Sequence, residues 1–337
     1  MRVIVAKEGM ILTECEPEPV PKTGHALIRT VCSAISPGTE LMIARRPNER
    51  PAALGYSAAG YVADPGDCGG LTAGQRVACY GGPYVRHAEY LSVPRHLVVP
   101  IPESVGFEEA SFVGLGAIAI HALRKAALHF GETVAVVGLG IIGQLVCQIA
   151  HAASYQVIAH DLIPERRRKL AAMLPACTVA ERLDEMGALV GANTGGAGAD
   201  AVLLCANSAD GSLIDHALRW VRDRGHVVVV GDMKMDFNRG LLFAKEANLT
   251  VSKAGGPGRG DAAYELHGND YPIGFVRWTE GRNMGEFIRL LERRAIQVEP
   301  LIYDHYPLQD MQGAYEKYKK TPEQTMGMVI RYDPMNR

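Results

Sequence analysis

Apolar residues recur along this chain at two different spacings, and the change from one to the other marks its domains. From Thr133 to about Ala254, short β-branched runs alternate with stretches whose apolar positions fall three and four residues apart. Thr133–Val137, Val157–Ala159, Cys177–Val179, Asp200–Cys205, Gly225–Gly231 and Leu249–Val251 read as strands. Pro164–Met173, Leu183–Val190 and Gly211–Val221 read as helices. Such alternation predicts an α/β unit with a doubly wound parallel sheet, covered by helices on both faces. Before it, Arg2–Ala6, Ala26–Val31, Gly60–Ala63, Arg76–Ala78, Glu89–Val93 and Leu97–Pro100 are short runs broken by Pro and Gly, which predict an antiparallel, barrel-like β domain. After it come amphipathic helices at Met284–Arg294 and Leu308–Tyr318 and a closing strand at Met326–Tyr332. The expected division is therefore 1–115 with 284–337, and an inserted α/β domain at 116–283.

The transition at Thr133 carries the most specific motif. The apolar strand runs into Gly138-Leu-Gly140-Ile141-Ile142-Gly143, and an apolar helical stretch follows. In this setting Gly138 permits a tight turn, Gly140 lets a pyrophosphate approach the backbone, and Gly143 lets helix and strand pack closely. The helix N-terminus supplies N–H groups and a positive dipole end. The next strand ends at Asp161, the offset at which a carboxylate meets ribose hydroxyls, which favours NAD over NADP. The expected Rossmann cofactor contacts are thus Gly138, Gly140, Ile141, Ile142, Gly143 and Asp161, with Arg166 after that strand and Cys205 at the end of a neighbouring one. Arg166, Arg167 and Arg168 could favour a phosphate or form a solvated helix face.

Bulk properties narrow the class. The chain of 337 residues is 47% hydrophobic and 21% charged with a formal charge of −2, ordinary for a globular enzyme and unlike a polyanion-binding protein. Nucleic acid and membrane partners are not expected, since no uncharged apolar run is long enough to span a bilayer and Lys7-Glu8 interrupts the first apolar run. A cytoplasmic location is the default. The seven cysteines form no C-x-x-C pair, and most read as buried thiols. His87, His96, His121 and His129 show no i,i+4 pairing and read as ordinary hydrogen-bonded residues rather than metal ligands.

The order of elements, with Pro37-Gly-Thr-Glu-Leu41, Leu54-Gly-Tyr-Ser-Ala-Ala-Gly-Tyr-Val62, Leu71-Thr-Ala-Gly-Gln-Arg-Val77, Ala88-Glu-Tyr90 and Val98-Val-Pro-Ile-Pro102, resembles the medium-chain dehydrogenase/reductase superfamily across nearly the whole chain. The resemblance implies an α/β protein with a GroES-like β-barrel domain plus a doubly wound parallel-sheet Rossmann domain, a nicotinamide cofactor, a cleft between the domains and a homodimer. Zinc-dependent members carry ligands at positions that here look like Pro37, Tyr56-Ser57 and about Gly114, and the cysteines of the structural zinc site are also missing. The chain is therefore expected to be a zinc-free member. Ile35-Ser-Pro-Gly-Thr-Glu40 and Gly55-Tyr-Ser-Ala-Ala-Gly60 resemble bacteriochlorophyllide dehydrogenases and the dehydrogenase half of certain two-domain oxidoreductases.

Without a Lewis acid, charge on a substrate oxygen must be met by hydrogen-bond donors and a proton relay. The resemblance points to Thr39 as the relay hydroxyl, or else a turn threonine. Glu40 is an acid beside it, or else a structural partner of an Arg. Tyr56 stands in the ligand position, as a phenol donor or, with a lowered pKa, a base, or as plain packing. His121, on the apolar stretch Ala117–Leu123, is a further candidate, or else a satisfied core residue. The segment 255–283 brings Arg259, Arg277 and Trp278 in loop-like context, suited to a polar hydroxylated substrate or to a dimer contact. The expected activity is zinc-independent interconversion of a secondary alcohol and a ketone on a polar ring substrate with NAD. Reduction of an enone or alkene and non-catalytic nucleotide sensing are the alternatives.

Overall fold

The computed structural model describes residues 1–46 and 50–332. Residues 47–49 and 333–337, which the expected ranges 1–115 and 284–337 include, lie outside the described residues. The chain divides into two compact units, one formed by Met1–Ala117 with the chain from Gly255 onward and the other by Ile118–Ala254.

The second unit is built on six parallel strands in the order Thr178–Val179, Gln156–His160, Thr133–Val137, Ala199–Leu204, Val221–Val229, Asn248–Val251. Thr133–Val137 is buried along its whole length, as a strand covered on both faces must be. The strand order reverses between it and Ala199–Leu204. In open α/β sheets a ligand crevice forms at such a switch point, beyond the carboxyl ends of the strands. Helix Ile141–Ala152 leaves the first strand there and is buried on all but a narrow stripe. Leu204, Ile214, Leu218, Trp220 and Val229 belong to the core on one side of the sheet. The expected helix Leu183–Val190 divides into a 3-10 turn, Leu183–Glu185, and an α-helix, Met186–Asn193. Helix Arg239–Lys245 is not apparent from apolar spacing, and Asn238 caps it by accepting from Gly240 N.

The first unit contains a barrel-like β domain whose central strand, His25–Ala34, pairs with Ser57–Asp64 along one edge and with Tyr90–Pro94 and Gly327–Arg331 along different parts of its length. Register shifts between Leu27 and Ile28 and between Thr30 and Cys32 bend this strand, which is how one strand turns a barrel corner. Gly60 is required at the bend, because a Cβ there would lie 2.1 Å from Arg29 O. A smaller sheet joins Met10–Cys15, Arg2–Lys7 and Ala52–Ala53. The strand pairs within 1–115 are antiparallel, as expected, and the C-terminal stretch adds a parallel pair, Ile302–Pro307 with Gly327–Arg331, joined through helix Met311–Lys320.

Residues 255–283, assigned from the sequence to the cofactor domain, belong instead with the β domain. The physical reason is a set of bonds to β-domain groups. Gly255 N donates to Tyr80 Oη at 3.1 Å, Arg95 and Arg259 donate to the carbonyls of Gly268 and Gly82, and His96 Nδ1 lies 3.1 Å from Tyr264 O. Nor is the segment a plain loop, since it holds the short helix Ala262–Glu265 with Asp261 as its cap.

Two glycines test this packing in opposite directions. A Cβ on Gly116 would come 2.0 Å from the fully buried Phe287 ring, so Gly116→Ala is expected to cost ~1–3 kcal/mol by overpacking. Gly191 lies in helix Met186–Asn193, where a Cβ would meet open space out to 4 Å, so Gly191→Ala is expected to stabilise by ~0.5–1 kcal/mol. Urea unfolding of the two variants beside the parent reads both signs.

Candidate functional site

In the α/β unit, the glycine turn has the form its sequence implies, with a distinct cause at each glycine. Gly138 has φ +93°, and a Cβ on it would lie 2.5 Å from Ala206 N. Gly143 packs so closely that a Cβ would lie 1.8 Å from Gly138 O and 3.6 Å from the Cys205 Cβ. Gly140 differs: a Cβ there would meet only Arg166 Nη1, at 3.9 Å, so the space above this residue is open. Gly140 is also the N-cap of helix Ile141–Ala152 and has no capping side chain, which leaves the first-turn N–H groups of Ile141 and Ile142 to an anion.

Asp161 is buried at the end of Gln156–His160, where Oδ2 accepts from Leu139 N at 2.6 Å and Oδ1 from Ile163 N at 2.7 Å. Its carboxylate therefore braces the glycine turn, and each oxygen keeps a further lone pair for a hydroxyl. Arg166 Nη1 stands 3.6 Å from Oδ2 and also beside Gly140, placing one cation at both the carboxylate and the turn. Arg167 is held by Asp161 O at 2.6 Å, while Arg168 pairs on the surface with Glu165. Cys205 follows strand Ala199–Leu204, and burial pushes its thiol up to about 12, so it contributes as a small neutral wall of the turn.

In the β domain, three hydroxyls meet at the start of helix Pro37–Arg45. Tyr56 Oη donates to Ser36 Oγ at 2.6 Å, and the Thr39 hydroxyl lies in hydrogen-bonding reach of the same phenol. Thr39 is exposed and Tyr56 half-buried. Burial, reinforced by the nearby Glu40 charge, pushes the Tyr56 phenol up to about 12. The lowered pKa needed for a base is thus not found, and the phenol acts in its neutral form as donor and acceptor.

Glu40 has no solvent exposure, and its partners are not the Arg weighed from the sequence. Its Oε1 accepts from Ser36 N at 2.7 Å; its Oε2 meets His87 Nε2 at 2.9 Å and the Tyr315 hydroxyl. A carboxylate so enclosed holds neighbours in place rather than meeting a substrate. Its partners were not legible in the sequence, because His87 and Tyr315 lie 47 and 275 residues away.

Tyr80 was also missed. Its buried ring makes an edge contact with Tyr56, centroids 5.8 Å apart, and a Cβ on Gly114 would lie 2.4 Å from its Cδ2. Gly114 N donates to Ser57 Oγ at 2.8 Å. At Pro37, Tyr56 and Gly114, then, stand a ring without a donor atom, a neutral phenol and a position with no room for any side chain.

Of the expected substrate contacts, Arg259 is committed to structure, with Glu265 at 2.6 Å and the Gly82 carbonyl as partners. Arg277 and Trp278 do come together, but onto each other: the guanidinium lies 4.0 Å from the indole centroid. Arg282 ties the segment internally through Val276 O at 2.6 Å and Asp270 at 2.5 Å.

His121 lies half-buried on helix Val113–Lys125, in the α/β unit. Burial first, then Lys125 and Arg124, lower its pKa to about 4, so the imidazole is neutral at physiological pH. An unfolded His titrates near 6.5. Between about pH 6.5 and 4 the unfolded chain binds a proton that the folded one refuses, so stability falls as pH falls through that window. Replacing it, His121→Gln, is expected to flatten the stability profile between about pH 6.5 and 5 relative to the parent. Denaturant midpoints at half-unit steps check this.

Comparison with known proteins agrees with the two-unit architecture. Residues 142–266 match the family described as zinc-binding dehydrogenase. The chain is 31% identical over 172 residues to L-galactonate-5-dehydrogenase of Escherichia coli, a match spanning 50% of each chain. It is 25% identical over 356 residues to sorbitol dehydrogenase of Bacillus subtilis, spanning 93% of this chain and 92% of that one. The chain thus spans half the length of the first relative and nearly all of the second. The crystal structure of 2R,3R-butanediol dehydrogenase from Bacillus subtilis superposes with a TM-score of 0.79 at 19% identity, covering 98% of this chain and 99% of that one, which is a likeness of fold. Residues 142–266 are thus similar to the zinc-binding dehydrogenase family, and the chain as a whole, with a GroES-like β domain and an inserted parallel-sheet domain, shares the fold of medium-chain alcohol dehydrogenases.

Proposed function

We propose that this chain is a nicotinamide-dependent oxidoreductase that interconverts a secondary alcohol and a ketone on a polyhydroxylated substrate without zinc. The hydroxyl cluster of Tyr56, Ser36 and Thr39 is the observation that carries the reading. The names of the relatives, an L-galactonate and a sorbitol dehydrogenase, support a polyol-like substrate class.

A dinucleotide fits the residues of the glycine turn: Gly140 leaves its backbone approachable, helix Ile141–Ala152 offers uncapped N–H groups, Arg166 supplies charge and Asp161 retains acceptor capacity for ribose hydroxyls. A nicotinamide held there would supply the hydride donor or acceptor for the substrate carbon. Asp161 favours NAD, although Arg166 at 3.6 Å softens the repulsion a 2′-phosphate would meet.

Zinc does not fit the residues at the three positions where relatives would carry ligands. Pro37 has no donor, the Tyr56 phenol is held neutral, and the Tyr80 ring fills the space beside Gly114. Among the described residues no group of three His, Cys, Asp or Glu side chains could hold a metal ion. The matched family segment, 142–266, includes none of Pro37, Tyr56 and Gly114, so the family description does not speak for these positions.

The chain's own chemistry is then donation and relay. In its neutral form Tyr56 hydrogen-bonds the substrate oxygen. On alcohol oxidation it takes the hydroxyl proton as its own passes to Ser36 or to the exposed Thr39 and on to water, so no phenolate forms. Such a shuttle suits a phenol whose ionisation is disfavoured.

Tyr56→Phe is expected to lower kcat by on the order of tenfold to a hundredfold while leaving nucleotide Kd unchanged. Turnover of a polyol panel, followed by nicotinamide absorbance, reads this, and undiminished turnover removes Tyr56 from the reaction. NADH is expected to raise Tm more than NADPH. Activity is expected to survive exhaustive chelation, and stoichiometric zinc lost together with activity would overturn the zinc-free reading. A saturated ketone formed from an enone, with no alcohol oxidised, would favour alkene reduction instead.

A further inference from the structure

We propose that His87 is a positioning residue for the Tyr56–Ser36 hydroxyl pair, gripping it from two sides, through Glu40 and through Gly55. The inference rests on the proposed function for its kinetic meaning and on geometry for its existence.

The first grip runs through Glu40. His87 has no solvent exposure, and its Nε2 lies 2.9 Å from Glu40 Oε2, while Glu40 Oε1 accepts the Ser36 backbone N–H at 2.7 Å. Ser36 is the residue whose side chain receives the Tyr56 phenol. The other ring nitrogen is also committed, since Nδ1 lies 2.8 Å from Ser33 Oγ, which in turn lies 2.9 Å from the Tyr332 hydroxyl. Both nitrogens being held, the ring cannot turn without breaking a buried hydrogen bond.

The second grip is steric. Gly55, directly before Tyr56, has φ +88°, and a Cβ on it would lie 2.7 Å from Cγ, Nδ1 and the backbone N of His87. The backbone is tied at the same point, where His87 N donates to Leu54 O at 2.8 Å. The chain entering Tyr56 therefore packs directly against the imidazole, and the residue whose hydroxyl receives its phenol is tied by its backbone N–H to the carboxylate that the imidazole holds. Moving this ring displaces donor and acceptor together. A catalytic group displaced by about 1 Å can lose on the order of a hundredfold in rate.

The test compares His87→Leu, which removes both ring hydrogen bonds, with His87→Gln, which keeps an N–H for Glu40. In His87→Leu, kcat for the alcohol is expected to fall on the order of tenfold or more with nucleotide Kd unchanged, and His87→Gln is expected to recover most of it. Tyrosine labelled at its ζ-carbon gives a second readout by NMR, with the Tyr56 resonance assigned through Tyr56→Phe. That resonance is expected to shift in His87→Leu and return towards its parent position in His87→Gln. If His87→Leu does not fold, Glu40→Gln carries the same test, because its amide presents N–H groups where His87 and Tyr315 donate. A folded variant with parental kcat and an unmoved Tyr56 resonance would overturn the proposal. If the parent protein turns over no alcohol or ketone, the functional reading falls separately, and the tyrosine resonance alone decides the positioning role.

Discussion

A carboxylate taken wholly out of water must have its lone pairs met by donors, and the β domain is organised around one such group. Desolvating an isolated carboxylate costs several kcal/mol even after relaxation, so Glu40 is tolerable only because three donors close on it. Those donors come from the start of helix Pro37–Arg45, from the residue before Ala88, and from helix Met311–Lys320. Around them lies an apolar shell that includes Ile4, Ile35, Leu54 and Met328. The apolar shell raises the cost of any unmade hydrogen bond, and the hydrogen bonds in turn select one packing of the shell. The hydroxyls at the helix start owe their position to this arrangement.

The α/β unit solves a different problem with backbone instead of side chains. Its turn brings Gly138, Gly143 and Ala206 within distances that exclude any Cβ, and Asp161 then ties Leu139 and Ile163 to the end of the adjacent strand. Rigidity there comes from close approach, whereas in the β domain it comes from buried polarity. Arg166, shared between turn and carboxylate, gives the otherwise neutral backbone cradle a side-chain cation near Gly140.

How much of this was legible in the sequence follows from the range of each interaction. Thr133–Val137, the glycine turn and its helix were read correctly because their signals are local: a β-branched run, fixed glycine offsets and helical apolar spacing all lie within about twenty residues. The order of such signals gave a β domain flanking an inserted α/β domain, and the GroES-like and Rossmann architecture was what the resemblance to the medium-chain superfamily implied. The allocation of 255–283 did not, because nothing within the segment announces that Gly255 bonds to Tyr80 or Arg259 to Gly82. Glu40 looked like an acid beside a relay hydroxyl since its neighbours in sequence are Thr39 and Leu41, while its neighbours in space are His87 and Tyr315. Tyr56 was singled out as a phenol donor or, with a lowered pKa, a base, but the upward direction of its shift comes from burial beside Tyr80, which no local pattern encodes. Arg277 and Trp278 were read as suited to a polar substrate or to a dimer contact, and adjacency in sequence gave no hint that the guanidinium would lie over the neighbouring indole.

The β domain is assembled from two stretches of chain separated by the whole of Ile118–Ala254, and its sheet is completed only when Gly327–Arg331 pairs with the far end of His25–Ala34. Contacts of such long separation carry a large loop-closure cost and form late. As the chain leaves the ribosome, the α/β unit has all of its strands well before the β domain has its last one. The inserted domain thus acts as a folded clasp that shortens the effective loop between the two halves, and the order of synthesis becomes an order of assembly.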